Sequence, residues 1–151
     1  MLLGALIGLI VAVIMIIIKK SREQKALNKL NNSDTLDSPD YSAYFHVASE
    51  NTFNSKGFKF FDNNGVLFLN GTNLVYQART AKAAAEFDLA TASVSYAGMK
   101  KKMKWVCIEG NNSKLYFTTF KQGMFALDKT EMDRFIEKVK LLAPNSNLAK
   151  G

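Results

Sequence analysis

The residues of this chain with the most evident chemistry are lysines near its middle. Four lysines stand within five positions, namely Lys100, Lys101, Lys102 and Lys104. Met99 precedes this run, Met103 interrupts it and Trp105 follows it. Near a membrane each lysine contributes about 1 kcal/mol of attraction to anionic headgroups, and neighbouring apolar side chains can dip into the interface. The run therefore predicts a contact with anionic lipid headgroups, and a solvated turn that only favours solubility is the alternative.

Nucleic acid could also accept a basic patch of this kind. Single-stranded nucleic acid, however, is usually bound on aromatic side chains that form a stacking platform beside the bases. Here the aromatic residues alternate within predicted strands, as core residues do. We therefore do not expect a nucleic-acid partner.

The side chains that carry most enzyme chemistry are scarce. The chain has one histidine, His46, and one cysteine, Cys107. A nucleophile pair of these two would need an orienting third group, which the sequence does not supply. No His/Cys/Asp cluster has metal-ligand spacing, and no glycine-rich phosphate loop occurs. We therefore expect a non-enzymatic protein with no catalytic residue, no metal site and no cofactor, in which Cys107 and His46 are strand residues.

The chain begins with an uncharged apolar run. Residues 1–18 carry no charged side chain, and as a helix they would cover roughly 27 Å, close to the hydrocarbon thickness of a bilayer. A cleaved signal would need a basic region before the run and an Ala-x-Ala site after it, and both are missing. The run therefore predicts a transmembrane helix.

Basic residues follow this run directly: Lys19, Lys20, Arg22 and Lys25. By the positive-inside rule such a flank stays in the cytoplasm. We expect a single-pass protein of the cell membrane, with its N-terminus outside and its C-terminal domain in the cytoplasm. The same bases, with the lysine run, would hold that domain against the anionic inner leaflet.

Small residues within the apolar run define one face of the predicted helix. Gly4, Gly8 and Ala12 are four positions apart, so a second helix could approach them closely. This row predicts self-association or docking to another membrane protein. Glycine is also common in transmembrane helices without such a role, which is the alternative.

The rest of the 151-residue chain divides into three parts. Residues 19–30 are compatible with a basic juxtamembrane helix or stalk, and residues 31–40 collect turn formers and a proline, as linkers do. Residues 41–151 have the size of one compact domain. The formal net charge of +7 lies outside the apolar run and favours an anionic surface or an acidic partner.

Within residues 41–151, short aromatic and β-branched runs alternate with Asn/Gly turns. Period-2 patterning and turns at 63–65, 70–71 and 110–113 predict an antiparallel meander. The predicted strands are 41–48, 57–62, 66–70, 73–79, 83–89, 91–97, 104–109 and 114–120. Near the end the period changes to that of a helix over residues 130–142, with Met132, Phe135, Ile136, Val139 and Leu142 on one face. The expected fold class is therefore mainly β with one C-terminal α-helix, behind the transmembrane helix.

Several segments between residues 57 and 142 share a recurrent pattern. A Gly-x-Leu-x-Leu run at 65–69 and a Leu-x-Tyr run at 74–76 form a hairpin, and later segments complete the pattern at 87–90, 93–95 and 115–117. The pattern resembles the pleckstrin-homology (PH) superfamily, particularly its GRAM-like and bacterial PH-like branches. The resemblance implies a bent antiparallel sheet or barrel with a helix at one end. Phosphoinositide-binding members carry paired bases in the first hairpin. This chain lacks that pair, and Lys56 and Lys59 are its nearest bases.

Two functions of different classes fit these features. The first is a membrane-anchored binding module that presents a PH-like domain to anionic lipid or to a protein partner at the cytoplasmic face. The second is a structural or accessory subunit, docked into a larger membrane complex through the transmembrane helix and the β domain.

Overall fold

A computed structural model describes residues 39–57, 59–79, 84–122, 127–128 and 130–148 of the chain. By its internal contacts the chain divides into two units, Met1–Asp37 and Ser38–Gly151. All described residues belong to the second unit.

The second unit is built on one eight-stranded sheet, with the order β10-β5-β6-β7-β1-β2-β3-β4. Two antiparallel meanders, β1–β4 and β5–β7, are joined because β1 pairs with β7 as well as with β2. A separate short sheet pairs β8 with β9. The strands are β1 (Tyr41–Ser49), β2 (Asn63–Asn70), β3 (Asn73–Ala78), β4 (Ala84–Asp88), β5 (Ser93–Lys100), β6 (Met103–Gly110), β7 (Ser113–Thr118), β8 (Lys121–Gln122), β9 (Leu127–Asp128) and β10 (Ser146–Asn147). The prediction of a mainly β domain is confirmed.

Two helices accompany the strands. The short helix α1 (Glu50–Asn54) follows β1 directly, and α2 (Thr130–Leu142) lies near the end of the chain. The bounds predicted for the terminal helix are confirmed, because its apolar side chains repeat at helical spacing and find a core to cover. Met132, Phe135 and Val139 are fully buried, and a buried side chain of this kind stabilises the fold by about 1.5–3 kcal/mol relative to exposure.

The apolar side chains form two clusters on opposite faces of the sheet. The inner core lies between the sheet and α2, and its largest fully buried rings are Phe45, Phe87, Phe117 and Phe135. The second group, here called the outer cluster, consists of Ala48, Met103, Trp105, Cys107 and Tyr116. Every buried residue of both clusters lies between Tyr41 and Leu148. Both clusters therefore lie within residues 38–151, which form a compact unit by their internal contacts.

The hairpin predicted at 110–113 is confirmed. Gly110 pairs with Ser113 across a two-residue turn formed by Asn111 and Asn112, whose φ angles are +51° and +57°. Asparagine adopts this left-handed conformation more readily than most residues, so local sequence is enough to define the turn.

Two local predictions were wrong, and one short element was not predicted. Residues 57–62 form no strand over their described part, and the helix α1 before them was not expected. The predicted turn at 63–65 lies within β2, and the turn between β2 and β3 is formed by Gly71 and Thr72. Both edges of β1 are occupied, by β2 and by β7, so no edge of β1 is left for a strand at 57–62.

Candidate functional site

The segment between β1 and β2 crosses the outer cluster instead of joining the sheet. We call this segment, residues 50–62, the strap. Phe53 stacks on Tyr116, with ring centroids 4.1 Å apart and planes 6° apart. Phe61 stacks on Trp105 at 5.8 Å. The aromatic rings of the strap therefore cover the side chains that the outer face of the sheet would otherwise expose.

Asp62, at the C-terminal end of the strap, forms hydrogen bonds with residues at the N-terminal end. Its carboxylate accepts hydrogen bonds from Ser49 N (2.7 Å), Ser49 Oγ (2.7 Å) and Thr52 Oγ1 (2.6 Å), and it forms an ion pair with Lys59 (2.9 Å). Partial burial by itself raises the pKa of this carboxyl group, but the hydrogen bonds from Thr52 and Ser49 outweigh burial. The pKa of Asp62 therefore lies well below its usual range.

The predicted lysine run forms the end of the β5–β6 hairpin. We call residues 99–104 the lysine hairpin. Lys100 pairs with Met103, and the two turn residues between them are Lys101 (φ +53°) and Lys102 (φ +65°). A turn of this type prefers Asn-Gly or Asp-Gly, because a side chain with a Cβ is strained at positive φ. The lysines therefore occupy two positions for which the backbone favours other residues.

Two ammonium groups of the lysine hairpin rest on the strap. Lys100 Nζ lies 4.7 Å from the centroid of the Phe53 ring and 3.5 Å from the carbonyl oxygen of Ser55. Lys101 Nζ lies 3.3 Å from the centroid of the Phe60 ring and donates to the carbonyl oxygen of Gly57 at 3.1 Å. Each lysine thus combines a cation–π contact with a backbone acceptor.

The other two lysines of the hairpin differ from this pair. Lys102 is exposed, and its side chain has no hydrogen bond or ion pair to any residue that the structure describes. Lys104 points to the opposite face of the sheet, where its Nζ lies 2.6 Å from Asp133 Oδ1 on α2. The structure therefore groups Lys100, Lys101 and Lys102 and separates Lys104 from them.

The apolar neighbours of the lysines are not exposed as expected. Met103 and Trp105 are only 6% and 2% exposed, and the Trp105 indole N–H donates to the carbonyl oxygen of Lys100 at 3.4 Å. The expectation that these side chains could dip into a membrane is therefore wrong, because the strap covers them. Met99 is 52% exposed and lies opposite Lys104, on the α2 side of the hairpin.

Between the strap and the lysine hairpin lies a narrow crevice of about 10 Å³, which is room for about one water molecule. Lys59, Phe60, Lys100 and Lys101 line it, together with the buried parts of the outer cluster. Sequence reasoning assigned no role to Phe60. Phe60 lies inside the strand predicted at 57–62, and the alternating aromatic pattern there does not indicate which ring remains exposed.

Cys107 and His46 do not form a catalytic pair. Cys107 lies on β6 and His46 on β1, with β7 between the two strands. His46 is packed between Phe61 and Phe120, with ring centroids at 4.3 and 5.1 Å. Burial raises the pKa of the Cys107 thiol, whereas a nucleophilic cysteine needs a lowered pKa. Both residues are therefore packing residues of the outer face.

Several predicted site residues lie outside the described residues. These are the helix-packing residues Gly4, Gly8 and Ala12 and the juxtamembrane bases Lys19, Lys20, Arg22 and Lys25. Among the described residues no helix is long and apolar enough to cross a membrane, and the predicted span, 1–18, is not among them. The same described ranges hold no group of three or more metal-ligating side chains.

Comparisons of the chain with protein-family models, with curated proteins and with solved structures give no match.

Proposed function

We propose that this chain is a single-pass, membrane-anchored, non-enzymatic binding module. Its PH-like domain faces the cytoplasmic side of the membrane and contacts anionic lipid or a protein partner through the lysine hairpin. The predicted apolar helix supplies the anchor, and the basic flank supplies the orientation.

The observation that carries this proposal is the use of lysine at the β5–β6 turn. The β6–β7 turn has the same two-residue length and the same left-handed conformation, and there the chain uses Asn111 and Asn112. Left-handed backbone costs a non-glycine residue roughly 1–2 kcal/mol. Strain of this kind is typical of functional positions. The charges at Lys101 and Lys102 are therefore better explained by a partner than by the turn.

The arrangement of the strands supports the PH-like part of the proposal. A four-stranded and a three-stranded meander are joined through β1, and a C-terminal helix covers the inner core. The resemblance implies a sheet with a terminal helix, and this arrangement supports the PH-like part of the proposal without defining it. Fold alone does not define a ligand, so the lysine hairpin remains the basis of the functional argument.

The test uses a fragment of residues 38–151, the compact unit that contains both clusters. The wild-type fragment should sediment with phosphatidylcholine vesicles that contain phosphatidylserine, at low salt and about millimolar lipid, and not with pure phosphatidylcholine. Lys100→Glu with Lys102→Glu should weaken this binding by at least about tenfold, because two attractive charges become repulsive.

The matched control places the same charge change on α2. Lys138 and Lys140 are exposed there, and Lys138→Glu with Lys140→Glu should leave most of the binding intact. Equal losses in both variants would indicate attraction by net charge alone and would contradict a site on the hairpin. Failure of the wild-type fragment to bind would remove the lipid version of the proposal.

A structural subunit is the second candidate, and one exposed side chain favours it. Leu141 on α2 is 86% exposed, more than any other large apolar residue in the described part of the chain. Leu141 lines a surface groove together with Tyr41 and Arg134, and an apolar side chain with polar residues around it is typical of a protein contact surface. In mild detergent, Gly4→Ile with Gly8→Ile should then disperse a native complex of the full-length chain, and unchanged migration would count against the subunit role.

A further inference from the structure

Phe60 is an aromatic ring held at the surface by a cation. Its side chain is 38% exposed, and among the described residues only Met99 and Leu141 are other large apolar side chains in this class. Lys101 Nζ lies 3.3 Å from the ring centroid. Phe53 and Phe61 of the strap are partly buried against the outer cluster, whereas the Phe60 ring is presented at the surface beside the turn lysines.

The charges around Phe60 are mostly positive. Lys59, Lys100 and Lys101 line the crevice beside the ring. Asp62 is the nearby acid, and its oxygens are already occupied by Ser49, Thr52 and Lys59. A surface that combines bases with one exposed aromatic ring is complementary to an anionic bilayer, where headgroups accept the bases and the interface accepts the ring.

We infer that Phe60 is an apolar anchor that enters the interface of an anionic bilayer as Lys101 moves from the Phe60 ring to a lipid phosphate. This inference rests on the proposed function, since it concerns the same surface. It assigns the binding to two elements, the strap and the lysine hairpin, and not to the hairpin alone.

The exchange of partners at Lys101 follows from the chemistry of its two contacts. A cation–π contact at an exposed site is weak, whereas a charge-assisted hydrogen bond to phosphate is among the stronger polar contacts. Near anionic headgroups, the free energy of the ammonium group is therefore lower at a lipid phosphate than over the Phe60 ring. The ring face that Lys101 uncovers is apolar, so its transfer from water into the bilayer interface is favourable.

The first test compares variants of the 38–151 fragment on vesicles of phosphatidylcholine with phosphatidylserine. Phe60→Ser should weaken partitioning by about tenfold, which corresponds to about 1.4 kcal/mol, and Phe60→Leu should retain most of it. Leu141→Ser is the matched control, because it removes an even more exposed apolar side chain from α2, and it should bind as the wild type does.

The second test places a reporter at the same position. A Phe60→Trp variant should show fluorescence that brominated acyl chains quench on vesicle binding. In the wild type the single tryptophan, Trp105, is 2% exposed under the strap and should not be quenched.

The outcomes separate the two proposals. If the wild-type fragment binds but Phe60→Ser binds equally well, or if Phe60→Trp is not quenched, the anchor is contradicted and the lysine hairpin stands. If the wild-type fragment does not bind, the proposed lipid contact itself fails. Thermal unfolding of each variant identifies any loss of binding that results from unfolding.

Discussion

At the scale of single residues, the turn lysines place positive charge at backbone positions where a lysine lowers the stability of the domain. Lys102 has a φ angle of +65° and no partner among the described residues. Its backbone is therefore strained, and its side chain forms no hydrogen bond or ion pair with the described residues that would offset this strain. Lys101 is strained in the same way, but its side chain makes stabilising contacts with the Phe60 ring and with the carbonyl oxygen of Gly57.

Lys102→Gly should therefore have opposite effects on stability and on binding. Glycine adopts positive φ without strain but loses more backbone entropy on folding, so the net gain should be about 0.5–1 kcal/mol in the free energy of unfolding. Loss of one charge should weaken binding to anionic vesicles by about fivefold. Urea unfolding and vesicle sedimentation of the 38–151 fragment measure the two effects. A loss of both stability and binding would show that Lys102 supports the fold.

Gly65 shows the opposite kind of residue, one that the fold itself requires. A Cβ atom at this position would overlap the carbonyl oxygen of Gln77 in the neighbouring strand, and it would also meet the Ala78 backbone. Gly65→Ala should thus lower the free energy of unfolding by on the order of 3 kcal/mol. Gly57→Ala is the control, since no atom of the described residues, apart from the chain neighbours, lies within 4 Å of a Cβ placed there. Denaturant unfolding should detect no clear change in the control.

At the scale of elements, local signals predicted the parts of the fold that depend on neighbours in sequence. The Asn111–Asn112 turn and the helix Thr130–Leu142 follow from residue preference and apolar spacing. The strap could not be predicted in this way. Apolar and polar residues alternate over 57–62 as in a strand, and these residues stay out of the sheet only because β2 and β7 already occupy both edges of β1. The lysine hairpin was predicted as a site, but its contacts with Phe60 and Asp133 join residues distant in sequence.

The hydrogen bonds that the Asp62 carboxylate accepts from Ser49 and Thr52 should stabilise the strap less in acid. Because the pKa of Asp62 is lowered in the folded protein, its carboxylate stabilises the native state above the unfolded pKa of about 3.9. That stabilisation should be lost as the pH falls through the lower native pKa. The difference in free energy of unfolding between wild type and Asp62→Asn should accordingly be constant near neutral pH and shrink below about pH 4.

A second variant tests the cause of this lowered pKa. Thr52→Val removes the hydroxyl group that donates to Asp62 at 2.6 Å. It should weaken the acid dependence while leaving the carboxylate in place. A difference between wild type and Asp62→Asn that does not vary with pH would contradict the assignment of the strap's stability to this carboxylate.

At the scale of the whole molecule, the proposed anchor and the lysine hairpin would complement one another energetically. Three lysines at about 1 kcal/mol each would give an affinity for anionic lipid no tighter than the millimolar range. Such a contact is weak for a free domain. A chain held at the membrane by its own helix needs no more, because the tether keeps the effective concentration of headgroups high.

A contact with the anionic leaflet requires that the domain face the cytoplasmic side of the membrane, and the single buried cysteine allows this side to be determined by thiol labelling. Cys107 is the only cysteine, is 5% exposed and has a raised thiol pKa, so it should react slowly with maleimides. Asn145 is exposed in the turn after α2, and Asn145→Cys supplies one accessible thiol. With the domain in the cytoplasm, an impermeant maleimide should label Asn145→Cys in inverted vesicles and not in intact cells, with the wild type as background. Labelling in intact cells would place the domain outside, away from the anionic leaflet, and would leave the lysine hairpin to an acidic protein partner.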